Sequence, residues 1–294
     1  MTKEENTQYA ADQSNSGASP SAEEHLQDKT ADFFSRSNRR QQAKGGGSNA
    51  RNQQQSATSI PSPSPYTIPA VTIGLNIVWW QQPLIYHQAW QNAQNWHIWS
   101  LIAYSLLTAL ALAFQIQNRF GKTDHRAWLA LAASLIVVVN SQLRSRFEIL
   151  FLLLLFIAFL LILPIRSLQL QNALGMFGLS VLLTFTVPIC ITYLANNYVS
   201  PEFLQQSWLL VFASLFYFTP LFLPSVKGRQ LELLTAPLFL IALFWSQGFG
   251  ILAGLAAFFA IAAFLLTFIR PLTYQYQPIM AVLGLIATTM LFYH

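Results

Sequence analysis

Asn76-Ile-Val-Trp-Trp-Gln-Gln-Pro-Leu-Ile-Tyr-His-Gln-Ala-Trp-Gln-Asn-Ala-Gln-Asn-Trp-His-Ile-Trp99 is the stretch at which this chain changes character. It holds five of the eight tryptophans and two of the five histidines, and no charged side chain. An indole ring is apolar while its N–H needs a partner, so such a stretch suits the boundary between hydrocarbon and water. A polar tail precedes it and long apolar runs follow it. We therefore read it as the first place where the chain leaves lipid on the far side of a membrane.

Composition supports that frame. Of 294 residues, 54% are hydrophobic and 9% charged, whereas soluble domains carry about 25% charged residues. Residues 1–66 hold seven Lys/Arg and seven Asp/Glu, while residues 67–294 hold nine and four, so the formal charge of +5 belongs to the apolar part. The single cysteine, Cys190, excludes an internal disulfide and a cysteine-based metal cluster. No apolar segment precedes residue 66, so the first spanning segment is expected to direct insertion, with no cleavable leader.

Residues 1–65 are rich in Ser, Gln, Asn, Gly and Ala and expose too little apolar surface to offset the entropy of ordering, so a disordered tail is expected. Its charge is segregated. Residues 1–32 hold all seven acids, and residues 33–65 hold Arg36, Arg39, Arg40, Lys44 and Arg51 and no acid. Ser21 and Glu24 have the spacing of a capping box, so one short helix can form before the arginines. The basic half either docks on anionic lipid or a partner, or simply enforces orientation.

Residues 66–294 are expected to form an all-helical transmembrane bundle. Nine apolar segments approach the 17–25 residues that cross a bilayer, at about 66–86, 98–114, 127–142, 149–165, 173–194, 207–224, 232–248, 250–269 and 276–293. The first is the weakest, because Pro69, Asn76 and Pro83 interrupt it; if it fails to cross, eight spans remain. With the tail inside, the inner loops hold Arg119, Lys122, Arg126, Arg166, Lys227, Arg229 and Arg270, and the outer loops only Arg144 and Arg146. This asymmetry points to a bacterial-type inner membrane protein with a cytoplasmic tail. A proline and a base with glutamine after them recur after the fourth, sixth and eighth segments, an echo either of duplicated hairpins or of the ordinary way a span ends.

The chemistry-bearing residues are few. After residue 66 the only acids are Asp124, Glu148, Glu202 and Glu232, all at expected span ends or in loops, so ion coupling through a buried carboxylate is not expected. Ser180 has no histidine on a neighbouring span to act as its base, and no His/carboxylate spacing fits zinc. Nine spans with an inward amino end resemble the prenyltransferases that join isoprenoid chains to aromatic rings. Those depend on aspartate-rich motifs that hold magnesium diphosphate, and this chain has no aspartate after Asp124, so the resemblance is set aside.

What remains is binding. Trp79, Trp80, His87, Trp90, Trp96, His97 and Trp99 form either an aromatic belt or a site for a quinone, a sugar or a lipid headgroup. Arg144 and Arg146 on an outer loop either bind an anionic headgroup or, through Arg144 and Glu148, make a helix-end ion pair. Gly250, Gly254 and Ala257 form a small-residue strip for close helix packing, with a partner in this chain or another, and Pro188, Pro220 and Pro237 are expected to kink their spans. The reading is a non-catalytic membrane component that binds lipids or protein partners. The alternatives are a carrier or flippase for a neutral or lipidic substrate, and a lipid- or glycan-modifying enzyme. No cofactor, metal or nucleic acid is expected. A cysteine at Gln54 and one at Gln91 are expected to react with an impermeant thiol reagent from opposite sides of intact membranes; labelling of both from one side would refute the nine-span arrangement.

Overall fold

The structure, a computed structural model, describes residues 64–85, 95–120, 124–140, 142–165, 168–223, 226–269 and 275–292. The expected disordered tail, its charge halves and its short helix lie outside the described residues. Among these residues the architecture is all-helical, with no strand. Nine α-helices follow one another: α1 (Thr67–Ile85), α2 (Asn95–Gln117), α3 (His125–Asn140), α4 (Phe147–Ile162), α5 (Ala173–Asn196), α6 (Pro201–Phe222), α7 (Val226–Gln247), α8 (Ile251–Ile269) and α9 (Gln277–Phe292). Each falls on one of the nine apolar segments.

The largest departures are at the starts of α6 and α7, each six residues earlier than the apolar run suggests. At α6 the reason is local chemistry. The Ser200 side chain accepts from the Phe203 N–H at 3.2 Å, Pro201 occupies the first turn and Glu202 faces the positive helix end. The helix begins at its cap, and its first apolar residues come a turn or more later. The same logic starts α5, where Asn172 accepts from Gly175 N–H at 2.9 Å. Gly175 has no substitute there, because a Cβ would overlap the Leu170 carbonyl. Helix α5 stops at Asn197, which adopts the left-handed conformation at φ 59°.

Successive helices pack on one another, and α1, α5, α6 and α9 close a four-membered ring through the pairs α1/α5, α5/α6, α6/α9 and α9/α1. A second ring, α6, α7, α8 and α9, shares the α6/α9 edge; on the other side α2 packs against α1 and α5, and α3 and α4 complete the bundle. The segment that looked weakest is thus central. Val71, Leu75, Val78 and Trp79 of α1 are all buried. Helices α1 and α9 run parallel: Thr67 Oγ1 donates to Gln275 O at 3.4 Å at their starts, and Gly74 lies against Val282 two turns on.

The polarity of the bundle is inverted relative to a soluble protein. Large apolar side chains such as Ile136, Phe151, Ile241, Phe258 and Leu283 face outward, while Ser105, Thr108, Ser180, Thr184, Ser214 and Thr288 are buried. An exterior of this kind on every side suits lipid rather than water. Three stretches are long and apolar enough to cross a membrane by length and composition, Ile98–Gln117, Ala173–Asn196 and Gly228–Gln247, and four more apolar helices are shorter.

Within this chain, the packing uses the small-residue strip in part. On α8 the buried face is Ala253, Ala256, Ala257 and Ala260, so Ala257 packs as expected, whereas Gly250 and Gly254 face open space. The close approach that does require glycine is at Gly284 of α9, where a Cβ would overlap the Tyr217 ring of α6. Gly284→Val should therefore lower stability in detergent by about 1–3 kcal/mol through overpacking. Gly254→Ala should leave it unchanged or raise it by up to about 1 kcal/mol through helix propensity. Thermal melts of the two variants check both.

Candidate functional site

Of the expected aromatic site, the side chains of His87, Trp90, Trp96 and His97 lie outside the described residues. Trp79 and Trp80 are both engaged by neighbouring helices. Trp79 is 0% exposed, meets Phe156 edge to face at 6.3 Å and donates its indole N–H to Leu183 O of α5 at 2.6 Å. Phe156 lies nine residues into α4, about 14 Å from its start. Both the ring and the N–H of Trp79 are committed to holding α1 against α4 and α5. Trp80 donates to Ser105 Oγ of α2 at 3.0 Å, and Ser105 donates to Asn76 Oδ1 at 2.7 Å. These two tryptophans are therefore braces of the core. Trp99 is 68% exposed.

The arginine turn is also resolved into its parts. Arg146 donates from Nη2 to Asn197 Oδ1 at 2.9 Å and stands over the Tyr193 ring at 5.9 Å, tying the start of α4 to the end of α5. Arg144 and Glu148 are both exposed. Arg146 lies ten residues from Phe156, so the arginines and the Trp79 cluster occupy different levels of the bundle.

The feature that sequence reading missed is a cleft inside the α6–α9 ring. It is narrow, with about 40 Å3 of accessible space, is partly open to the outside, and draws its walls from four helices. Phe216, Tyr217 and Pro220 come from α6, Glu232 from α7, Ala263 and Leu266 from α8, and Gln277, Met280 and Ala281 from α9. Leu266, 45% exposed, and Met280, 40% exposed, form its apolar mouth. Glu232 is only 6% exposed. It was expected at the end of a span, yet it lies six residues inside α7, about 9 Å along the helix.

Two residues of its wall stand out. Pro220 has no N–H to offer the Phe216 carbonyl one turn earlier, so a backbone acceptor in the wall loses its helical donor. The Tyr217 ring is held by Gly284, and its buried hydroxyl has no hydrogen-bond partner of normal geometry. The outcome is an apolar slot whose lining includes Glu232 and Gln277. No group of three His, Cys, Asp or Glu side chains that would hold a metal ion comes together among the described residues. Ser180 is buried without a hydrogen-bond partner.

Comparison with protein-family models, with curated proteins and with solved structures finds no match to this chain. The site is therefore read from its own geometry. Trp79→Phe removes the bond to Leu183 O and should cost about 1–2 kcal/mol, together with loss of the component of tryptophan emission that is shielded from aqueous quenchers. Trp99→Phe should change stability by less than about 0.5 kcal/mol. Denaturation followed by intrinsic fluorescence checks both.

Proposed function

We propose that this protein is a polytopic inner-membrane component that binds a lipidic ligand and does no covalent chemistry on it. The observation that carries this reading is the α6–α9 cleft, an apolar slot whose mouth is formed by outward-facing Leu266 and Met280 and whose interior ends on polar groups. Ligand sites between bundle helices have this composition, mostly apolar with a few convergent polar atoms. An acyl chain enters from the lipid and its head group meets Glu232 and Gln277.

All nine helices cross the membrane in this reading, the shorter ones included. Helix α1 supports it: it packs against α2 and α5, two of the helices that have spanning length, and Trp79 donates to a carbonyl in the middle of α5. A helix so held lies at the depth of its neighbours. The cleft is built from the end of α6, the start of α7, the end of α8 and the start of α9, the end at which Lys227 and Arg229 belong to the first turn of α7. By the distribution of bases this is the cytoplasmic end.

The protein purified in mild detergent is expected to retain lipid at about one molecule per chain after extensive washing. Met280→Trp, which narrows the mouth from the lipid side, should reduce the retained lipid several-fold with an unchanged melting temperature. Lipid extraction and mass spectrometry measure both. Retention no greater than for an unrelated bundle, or equal retention by Met280→Trp, overturns the reading.

A further inference from the structure

We infer that the flank made by α3 and α4 fits a bilayer drawn thin, with the phospholipid head groups of the two leaflets about 6–9 Å closer together than in an unperturbed membrane. This concerns a face away from the cleft and rests on the part of the reading above in which every helix crosses. Helices α3 and α4 have 16 residues each, whereas α5, α6 and α7 have 24, 22 and 22. At 1.5 Å per residue the short pair measures about 24 Å and the other three about 33–36 Å. A hydrocarbon core is about 30 Å thick. Fraying moves each helix end by about one or two residues, less than the difference.

Polar residues mark both ends of the short pair. On α3 the exposed Arg126 stands fourteen residues from the helix end at Asn140, a rise of about 21 Å. The exposed Arg144 follows in the next turn, and no charged residue lies between the two arginines. On α4 the exposed Glu148 likewise stands fourteen residues from Ile162. The band between these marks faces outward: Leu129 and Ile136 of α3 are 70% and 60% exposed, and Phe151 of α4 is 58% exposed. A helix too long for its bilayer can tilt, but tilting makes a short helix span still less. Snorkelling carries a guanidinium to the head groups, yet it leaves the backbone of the turn Gln142–Ser145 in hydrocarbon, where polar groups not bonded within the protein find no partner. The remaining accommodation is for the head groups to come to the protein. Arg126 at one face and Arg144 at the other meet their phosphates there with charge-assisted hydrogen bonds.

The test uses the full chain with Cys190→Ala in liposomes of a phosphatidylcholine whose acyl chains are about 18 carbons long, close to the unperturbed thickness. A nitroxide is attached to a cysteine placed at Ala132, midway along α3, or at Leu238, midway along α7; both positions are exposed. The depth of each label is read from its relaxation by oxygen and by a water-soluble nickel chelate. Ala132 is expected to lie about 3–5 Å nearer the head groups than Leu238, half the thinning. In a phosphatidylcholine about four carbons shorter the two depths should converge, because the bilayer then matches α3 without deformation. Equal or greater depth at Ala132 in the longer lipid overturns the thinning and leaves the nine crossings standing. A label at Ala132 that meets the nickel chelate more than oxygen overturns both. Where Cys190→Ala fails to fold, Cys190 is kept, since it is 0% exposed, and the signal of the unmodified chain treated with the same reagent is subtracted.

Discussion

A polar atom inside a helical bundle with an apolar exterior has no water to turn to, and the packing of this protein follows from where those atoms find partners. The recurrent solution is a side-chain donor on one helix reaching a backbone carbonyl on another. Trp79 reaches Leu183 O, Tyr104 reaches Leu153 O at 3.0 Å, and Gln115 reaches Leu160 O at 2.7 Å. The Leu183 and Leu153 carbonyls lie inside their helices and use a second lone pair for the neighbour, whereas Leu160 has Pro164 one turn on, which offers it no N–H. Such bonds carry direction, which dispersion between apolar surfaces lacks, and so set the register of one helix against the next. The pairs Tyr104/Leu153 and Gln115/Leu160 ascend together, so α2 and α4 run parallel with α3 between them in sequence.

Prolines act on the same currency from the other side. Pro188 in α5 has no N–H for the Thr184 carbonyl, and the neighbouring Leu183 carbonyl is the one that accepts from Trp79. Pro220 in α6 does the equivalent one ring further on, and there the altered turn lines a cleft instead of meeting a tryptophan. The two sites differ in what faces the loosened turn. Around α5 large side chains fill the space; around α6 the partners are Ala263 and Ala281, too small to fill it, and Tyr217, which Gly284 allows to lie flat against α9. A binding slot and a structural brace thus grow from one kind of backbone irregularity.

The number and order of helices were legible because each apolar run is long and each connection polar or proline-marked. Their faces were not. In a helix that is apolar nearly all round, hydrophobic periodicity says little about which side meets protein and which meets lipid. Trp79 and Trp80 accordingly read as boundary residues from their neighbours Gln81 and Gln82, although twelve residues of α1 precede Trp79 and its ring lies deep in the bundle. Gly250 and Gly254 read as a contact strip by spacing alone, while the alanine face about a quarter turn away is the one that packs. Glu232 was set at a span end because hydropathy starts a helix at its first apolar run, and α7 starts six residues earlier.

By itself, the sequence determined that the described part of the chain is all-helical and that its nine helices fall on nine apolar runs, since these follow from composition and run length along one dimension. Only the tertiary structure decided that the proline-broken first helix is central, that Arg146 belongs to Asn197, and that residues 216, 232, 263 and 281 meet around one cleft. The reason is physical: among helices with apolar surfaces on every side, many pairings bury similar area, and the choice falls to a few directional hydrogen bonds and close glycine contacts between residues far apart in the chain.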